Sequence, residues 1–507
     1  MAPPPPYDQL WAWLPRLAWK KLRPLLQTAC ITSLILSAAV VGGRSLGWLQ
    51  GLELAAYDQM IRSRPDEGPD QRLLIVGITE NDIQARQEWP IQDQTLADLL
   101  AELVKYQPRA IGLDIFRDVP IGSGHTALLR QLQRSDRTVT VCKMSGSADP
   151  GIAPPAIVPP EAVGFSDIVV DPGGILRRNL LVATPQPFAD VLPLQHLCNG
   201  SEVVFSLGLQ LALKYLAAEG IEPRLTETEA IQLDSVIFDR FRRGMGSYQK
   251  VDANGYQILL NYRSAQQVAP QVTLGQVMAG QVKPELIRDR IVLIGLVTSQ
   301  AKDEFYTPYS GGLQDQQRMP GVTVHAQSVS QILSAVLDHR PLIWAWSSRQ
   351  ELAWIMGWGL IGGIFAWFIR HPLWFGAGLL LLAGSLYGAG VLLFLQGGWV
   401  PLVPPAITLF FGAGGVVLVD RFNHSSYGQA VYRQVKSFLR LNIEIDAAKV
   451  ERQVSEIAET EYFSQLQQRA QQLRTQRQSP RSKAKAADPQ PTPNHKDGGK
   501  PSDPENQ

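Results

Sequence analysis

The chain has 507 residues, a formal net charge of +1 and three cysteines. That length is too great for one ordinary domain, the charge balance argues against nucleic-acid binding, and so few cysteines cannot build a disulfide framework. Hydrophobicity is concentrated in four runs, each near the roughly 20 apolar residues that cross a hydrocarbon core, so the chain is expected to be an integral membrane protein.

Residues 1–24 open with four prolines and then set Trp11, Trp13 and Trp19 among Arg16, Lys20, Lys21 and Arg23. Aromatic and basic residues beside an apolar run mark a cytoplasmic membrane interface. Residues 25–46 form the first apolar segment. Its small residues Ser37, Ala38 and Ala39 leave a cleaved signal peptide open, whereas the long basic region before it and Arg44 after it favour an uncleaved anchor. Cys30 lies in this run. Cys142 and Cys198 are expected to be two buried free thiols, with a bridge between them as the alternative.

No spanning run interrupts residues 47–349, which are expected to form an exported domain of mixed α/β class with a parallel-sheet core. Leu73–Thr79 reads as a buried strand, Gln94–Tyr106 as a helix with Leu96, Leu99, Leu100, Leu103 and Val104 at helical spacing, and Arg109–Leu113 as a second strand ending on Asp114. This unit predicts parallel pairing with a right-handed crossover. A helix near Ala127–Gln133 and a strand at Thr138–Cys142 extend the pattern. Ile168–Arg178 reads as a hairpin around Asp171, Pro172, Gly173 and Gly174, and Asp252–Arg263 repeats the device with Asn254 and Gly255. Arg177 and Arg178 are expected to pair with the turn carboxylates. A helix is expected over Phe205–Ala218. Ile291–Ile294 is the next apolar strand, ending on Gly295; a polar turn with Asp303, Thr307 and Pro308 follows, and an amphipathic helix is expected to begin around His325.

Within residues 350–420 come three apolar runs, Leu352–Ile369, Leu373–Leu395 and about Val400–Val419. Arg370 and His371 lie in the first connection, and Arg421 follows the third run. Placing the basic connections inside predicts four crossings with both termini cytoplasmic. Gly359 with Gly363 and Gly384 with Gly388 have the spacing that permits close helix contact, chiefly within the bundle. Residues 421–477 hold an amphipathic helix from Tyr427 to about Arg477, carrying Val431, Val435, Leu439, Ile443, Val450, Val454 and Ile457. Residues 478–507 read as a disordered tail. No kinase, cyclase or phosphodiesterase domain is expected in this cytoplasmic end.

The order of anchor, large exported domain and clustered membrane helices resembles the CHASE2 family of bacterial extracellular sensor domains. The resemblance rests on LELAAYDQMIRSRP from Leu52 to Pro65, LLIVGITENDI leading to Trp89 and Pro90, RAIGLDIFRDVP from Arg109 to Pro120, VDPGGILRRNLL, DANGYQILLNYR, and the TPYS and HAQSVSQIL segments. It covers about Leu52 to Val419, and the helix from Ala448 to Leu473 is similar to a tail of some cyanobacterial members. It departs from the family at Thr79 before Glu80 and at Ile91-Gln92-Asp93 after Pro90. Family members usually carry a cytoplasmic enzymatic output domain, and this chain is expected to lack one.

Ligands of open α/β sheets settle outside the carboxyl ends of the strands. By that position Glu80, Asp114, Asp303, Thr307 and His325 are expected to line one exported pocket, suited to a cationic or hydroxyl-rich ligand or a divalent ion. The competing expectation is structural: Asp114 caps a helix, Asp303 orders its turn, and His325 is a satisfied core histidine. No catalytic set, cofactor or metal centre is expected. The resulting expectation is a receptor in the inner membrane. Its exported domain senses an extracytoplasmic signal, and its 427–477 helix meets a cytoplasmic partner or a second copy. A membrane-anchored exported hydrolase is the alternative.

Overall fold

The computed structural model describes residues 16–186, 195–310, 318–369 and 371–424, with single positions at 429, 433, 434, 437 and 469. Two compact units are present, Met1–Asp420 and Arg421–Gln507. The predicted helix from Tyr427 to Arg477 lies outside the described residues except for those single helical positions, as do residues 1–15 and the predicted tail.

In chain order, α1 (Arg16–Ser45) and α2 (Gln50–Ser63) lead into β1 (Leu73–Ile78), α3 (Glu80–Arg86), α4 (Asp93–Val104), β2 (Ala110–Asp114), α5 (His125–Arg134), β3 (Thr138–Cys142) and β4 (Val163–Phe165). A more irregular middle follows, with β5 (Arg178–Ala183), β6 (Val204–Phe205), α6 (Leu207–Ala217), β7 (Pro223–Leu225), β8 (Ile231–Leu233), β9 (Val236–Phe238) and β10 (Tyr256–Leu259). The sheet resumes with β11 (Gln271–Thr273), α7 (Leu274–Met278) and β12 (Ile291–Leu296). Then come β13 (Glu304–Phe305), β14 (Met319–Pro320), α8 (Gly321–Leu337), β15 (Trp344–Ala345), α9 (Ser348–Phe368), α10 (Pro372–Leu395), β16 (Gly398–Trp399) and α11 (Val403–His424).

The main sheet has six strands in the order β11-β1-β12-β2-β3-β4, all parallel. Leu74, Val76, Ile111, Leu113, Val292 and Ile294 pack against α4, α5 and α7 on one face. On the other, Leu73, Ile75, Leu293 and Val139 pack against α6 and α8. Helices on both faces explain why β1 is buried along its whole length and why its sequence is continuously apolar instead of alternating. The expected pairing of β1 with β2 is corrected: β12 lies between them, with Ile75 beside Leu293 and Leu293 beside Gly112. The run IVLIGL is apolar throughout, and a central strand is where such a run buries both faces.

The turn at Asp171–Gly174 forms, with the Ile175 carbonyl accepting from the Asp171 N–H at 3.0 Å. The expected hairpin does not, because β5 pairs instead with β10 and β6 in a separate antiparallel sheet. The Asn254-Gly255 turn does precede β10, and Gly255 takes φ +72° there. Cys142 and Cys198 are joined by a disulfide, with Cα atoms 6.2 Å apart, so the free-thiol expectation is also corrected. Both residues are fully buried in one small cluster, which brings together sulfurs 56 positions apart in sequence.

The helix expected from His325 begins four residues earlier, at Gly321, and is not amphipathic toward solvent. Every residue from Gly321 to Val336 except Thr323 is buried. Its polar side chains are satisfied internally: Gln327 donates to the Ser264 carbonyl at 2.7 Å, Ser330 to Asp70 at 2.8 Å, Gln331 to the Leu259 carbonyl at 2.8 Å, and Ser328 bonds Asn179 at 3.0 Å. The polar stripe therefore faces the antiparallel sheet and the segment preceding β1.

The expected four crossings are reduced. Among the described residues, two helices, α9 and α10, are long and apolar enough to span a membrane, and a third span results if α1 from Cys30 and α2, bent by 87°, count as one. The last apolar run contributes a shorter helix, Val403–Val419. Gly359 serves packing within the bundle: a Cβ there would meet Ser37 and Thr408 at 3.3 Å, and the Ser33 hydroxyl donates to its carbonyl at 2.9 Å. Gly384 and Gly388 face open space.

Candidate functional site

The sheet register sets Thr273, Gly77, Gly295 and Asp114 side by side across β11, β1, β12 and β2. This row lies at the carboxyl ends of the strands, where parallel α/β sheets bind their ligands. Its two central glycines create the crevice. A Cβ at Gly295 would sit 2.5 Å from the Val322 Cβ, so only glycine lets the first turn of α8 descend onto the sheet. A Cβ at Gly77 would meet Val297 at 2.7 Å and Gln271 at 3.0 Å.

The loop after β12 holds the head of α8. The Gly321 N–H donates to the Asp303 carbonyl at 3.0 Å, and a side chain at Gly321 would run into the Asp303 carboxylate, 2.2 Å from its ideal Cβ. One turn further, His325 Nε2 lies 3.9 Å from Asp114 Oδ1, with side-chain exposures of 7% and 9%. Burial pushes the Asp114 carboxyl up to about 7. Burial, with the nearby Asp114 second, raises Asp303 to about 6. Burial holds His325 down at about 4, against the opposing pull of Asp303 and Asp167. Among the described residues no hydrogen-bond donor compensates either carboxylate. The trio thus favours its neutral forms, a protonated acid beside an uncharged imidazole, and gains charge as pH passes 6 to 7.

Three of the five expected site residues are gathered here, and the other two are engaged elsewhere. Glu80, the first residue of α3, accepts from Thr298 Oγ1 at 2.9 Å and from Gln300 Nε2 at 2.7 Å, tying the end of β1 to the loop after β12. Thr307 is buried, accepts from the Tyr309 N–H at 3.3 Å, and lines a separate cavity beside Arg62 and Tyr309. Asp114 makes no helix cap. His325 is a core histidine, and among the described residues the polar group nearest its ring in an ion-pair contact is Asp114 at 3.9 Å. No group of three or more His, Cys, Asp or Glu side chains suited to a metal occurs among the described residues.

Sequence reasoning missed what ties this domain to the candidate membrane helices. On α2, Asp58 takes Arg177 in a two-point ion pair at 2.6 and 2.7 Å, and Asp171 bridges Arg177 and Arg178 at 2.8 Å each, which confirms the expected pairing with a turn carboxylate. The Tyr248 hydroxyl donates to the same Asp171 at 2.5 Å. At the end of α1, Arg44 bonds Glu53 of α2 at 3.0 Å, Glu351 of α9 at 2.7 Å and the Gly246 carbonyl at 2.7 Å. Trp399, at the α10–α11 turn, packs edge-on to Tyr57 and Tyr248 and fills the space where Gly246, at φ +57°, has no side chain. The available signal was charge inside an apolar motif: Glu53 and Asp58 in LELAAYDQMI.

From its head at the Asp114 site, α8 leads through β15 into α9, the helix that carries Glu351 of this junction. Ser334 and Asp338 at its far end bond Arg72 at 3.0 and 2.7 Å, Arg340 donates to the Asn261 and Tyr262 carbonyls, and β15 then pairs with β16 before entering α9.

Comparison with curated proteins and with solved structures gives no match. The CHASE2 domain matches residues 35–364, from inside α1 to inside α9, and so covers more than half of the chain. With the whole parallel sheet, the end of α1, α2 and most of α9 inside that span, the chain belongs to the CHASE2 family of extracellular sensor domains.

Proposed function

We propose that the protein is a membrane-bound receptor without catalysis of its own. Its exported domain detects an extracytoplasmic signal at the carboxyl edge of the parallel sheet and passes the change through α8 and the Arg44 junction to the membrane helices. A cytoplasmic partner, or a second copy, reads the change through the 427–477 segment. The observation that carries this reading is α8 itself. One buried helix touches Asp114 and Asp303 at its head and leads, through β15, directly into α9. A signal moves such an equilibrium only through its different affinity for the two arrangements of that element. A helix bonded to the antiparallel sheet and packed against the parallel one transmits displacement better than a loop would.

Cysteine crosslinking at successive positions of residues 431–457, in native membranes, tests the relay. The parent is compared with Arg44→Met, which breaks the junction without touching the sheet. The receptor reading expects a changed crosslinking pattern. An unchanged pattern in a folded variant sinks it.

A further inference from the structure

On the other side of the α8 head from Asp114, above Gly77, lies a cavity of about 940 Å³. Its wall is built from the end of α2 (Arg62, Arg64), the head of α8 (Met319, Thr323), Val297 after β12, and Thr307 with Tyr309. We propose that this cavity is a binding site for a small organic anion. Its oxyanion group is held between Arg62 and Arg64, and its short apolar body lies against Val297 and Met319.

Charge carries the assignment. Arg62 has only neutral partners: Gln59 Oε1, which accepts from Nε and Nη2 at 3.3 and 3.0 Å, and the Pro308 carbonyl. No carboxylate lies within ion-pair distance of it among the described residues, although its side chain is half buried. It is not spent on the end of its own helix, where the Ile61 carbonyl takes the Arg64 N–H. Arg64 bonds Asn261 and pairs with Glu67 at 3.2 Å, but that same carboxylate oxygen also takes Arg340 at 2.7 Å, so one acid serves two guanidinium groups. Arg318 also lines the space and donates to the Tyr306 hydroxyl at 2.6 Å. The one acidic residue in the wall, Asp66, is already occupied by the Ser264 hydroxyl at 2.8 Å and the Gly68 N–H at 2.7 Å. A guanidinium without a carboxylate partner among the described residues, Arg62, beside one that shares its carboxylate, Arg64, is in a concave site the usual recognition chemistry for carboxylate and phosphate. The head of α8, 17 residues long, adds the positive end of its dipole on the same side.

This site has the opposite polarity to the Asp114 trio, and the two flank one helix head. The binding stands on the cavity alone, and only its consequence for the membrane rests on the receptor reading. An anion seated on Thr323 and Met319 would bear on the same turn that Asp303 cups.

The test uses the full-length protein in nanodiscs at constant ionic strength and pH 7. Succinate and inorganic phosphate serve as probes that separate a carboxylate from a phosphate ligand, and putrescine serves as the cationic counter-probe. The expected result is a saturable rise of the unfolding midpoint with one of the two anions. Arg62→Gln and Arg64→Gln should each weaken that effect by about ten-fold or more, as expected for a lost charged hydrogen bond, while the remote Arg130→Gln leaves it intact. The proposal is overturned if neither anion acts saturably, if putrescine alone acts, or if Arg62→Gln retains full affinity with an unchanged fold by circular dichroism. Anion binding that depends on Arg62 but leaves the 431–457 crosslinks unmoved supports the site and removes the relay instead.

Discussion

Asp114 reaches its state through position. It ends a buried strand, faces the α8 side in register with Gly295, and lies 3.9 Å from a neutral imidazole, with no hydrogen-bond donor to its carboxylate among the described residues. Because its folded carboxyl titrates near 7, above the roughly 4 of an unfolded chain, the folded state holds an extra proton between those values. Its contribution is therefore complete at acid pH and is lost as pH rises through 7. His325 acts in the other direction. Its folded value near 4 lies below the unfolded 6.5, so it costs stability as pH falls across that window. Relative to the parent, Asp114→Asn should gain about 2–3 kcal/mol of stability as pH rises from 5 to 8. Urea unfolding of the full-length protein at both values checks this, and a pH-independent difference would count against the assigned titration. Strand position was enough to nominate Asp114, Asp303 and His325. Their burial, and hence their protonation, depends on the descent of α8, which no local pattern encodes. Arg62 was passed over because an arginine at the end of a helix reads as ordinary surface charge until its partners are known.

At the scale of elements, the glycines decide how closely α8 lies on the sheet. Gly295→Ala places a methyl 2.5 Å from Val322, and overpacking of this kind costs about 1–3 kcal/mol. The expected outcome is a lower unfolding midpoint together with a changed Asp114 titration, since the helix head must lift. A shift in stability alone would mean that β12 gives way instead. The disulfide belongs to this scale as well. Closing a loop between positions 56 apart restricts the unfolded chain by about 4 kcal/mol. Cys142→Ser with Cys198→Ser should therefore lower stability by a similar amount in denaturant titrations, and dithiothreitol should reproduce the loss in the parent. A bridge of this kind fits an exported, oxidising compartment. Period and apolar runs were sufficient to place β1, α4, β2, α5, β3 and β12 nearly residue for residue. The pairing partner of β1 could not be read from them, because β12 arrives from far along the chain.

At the scale of the whole molecule, the Arg44–Glu53–Glu351 cluster couples the sensor domain to two of the candidate membrane helices. Glu53 Oε1 and Glu351 Oε1 are buried without hydrogen-bond partners. Removing the arginine would strand two acids, and breaking a buried pair in this way costs about 3–5 kcal/mol. Arg44→Met should lower the thermal midpoint measured in nanodiscs, and adding Glu53→Gln with Glu351→Gln should recover part of the loss. Absence of any recovery would show that the arginine acts through packing alone.

Apolar periodicity, turn residues and charge flanking long apolar runs were sufficient by themselves to determine the class of this protein, because they record local burial and membrane contact along the chain. They place a parallel-sheet sensor domain between membrane segments and suggest the CHASE2 resemblance. Tertiary structure alone decided the strand order, the disulfide, the buried course of α8, the reduced number of candidate spans and the side chains gathered on either side of its head. Each of these depends on residues far apart in sequence meeting in space, through contacts that local patterns do not contain.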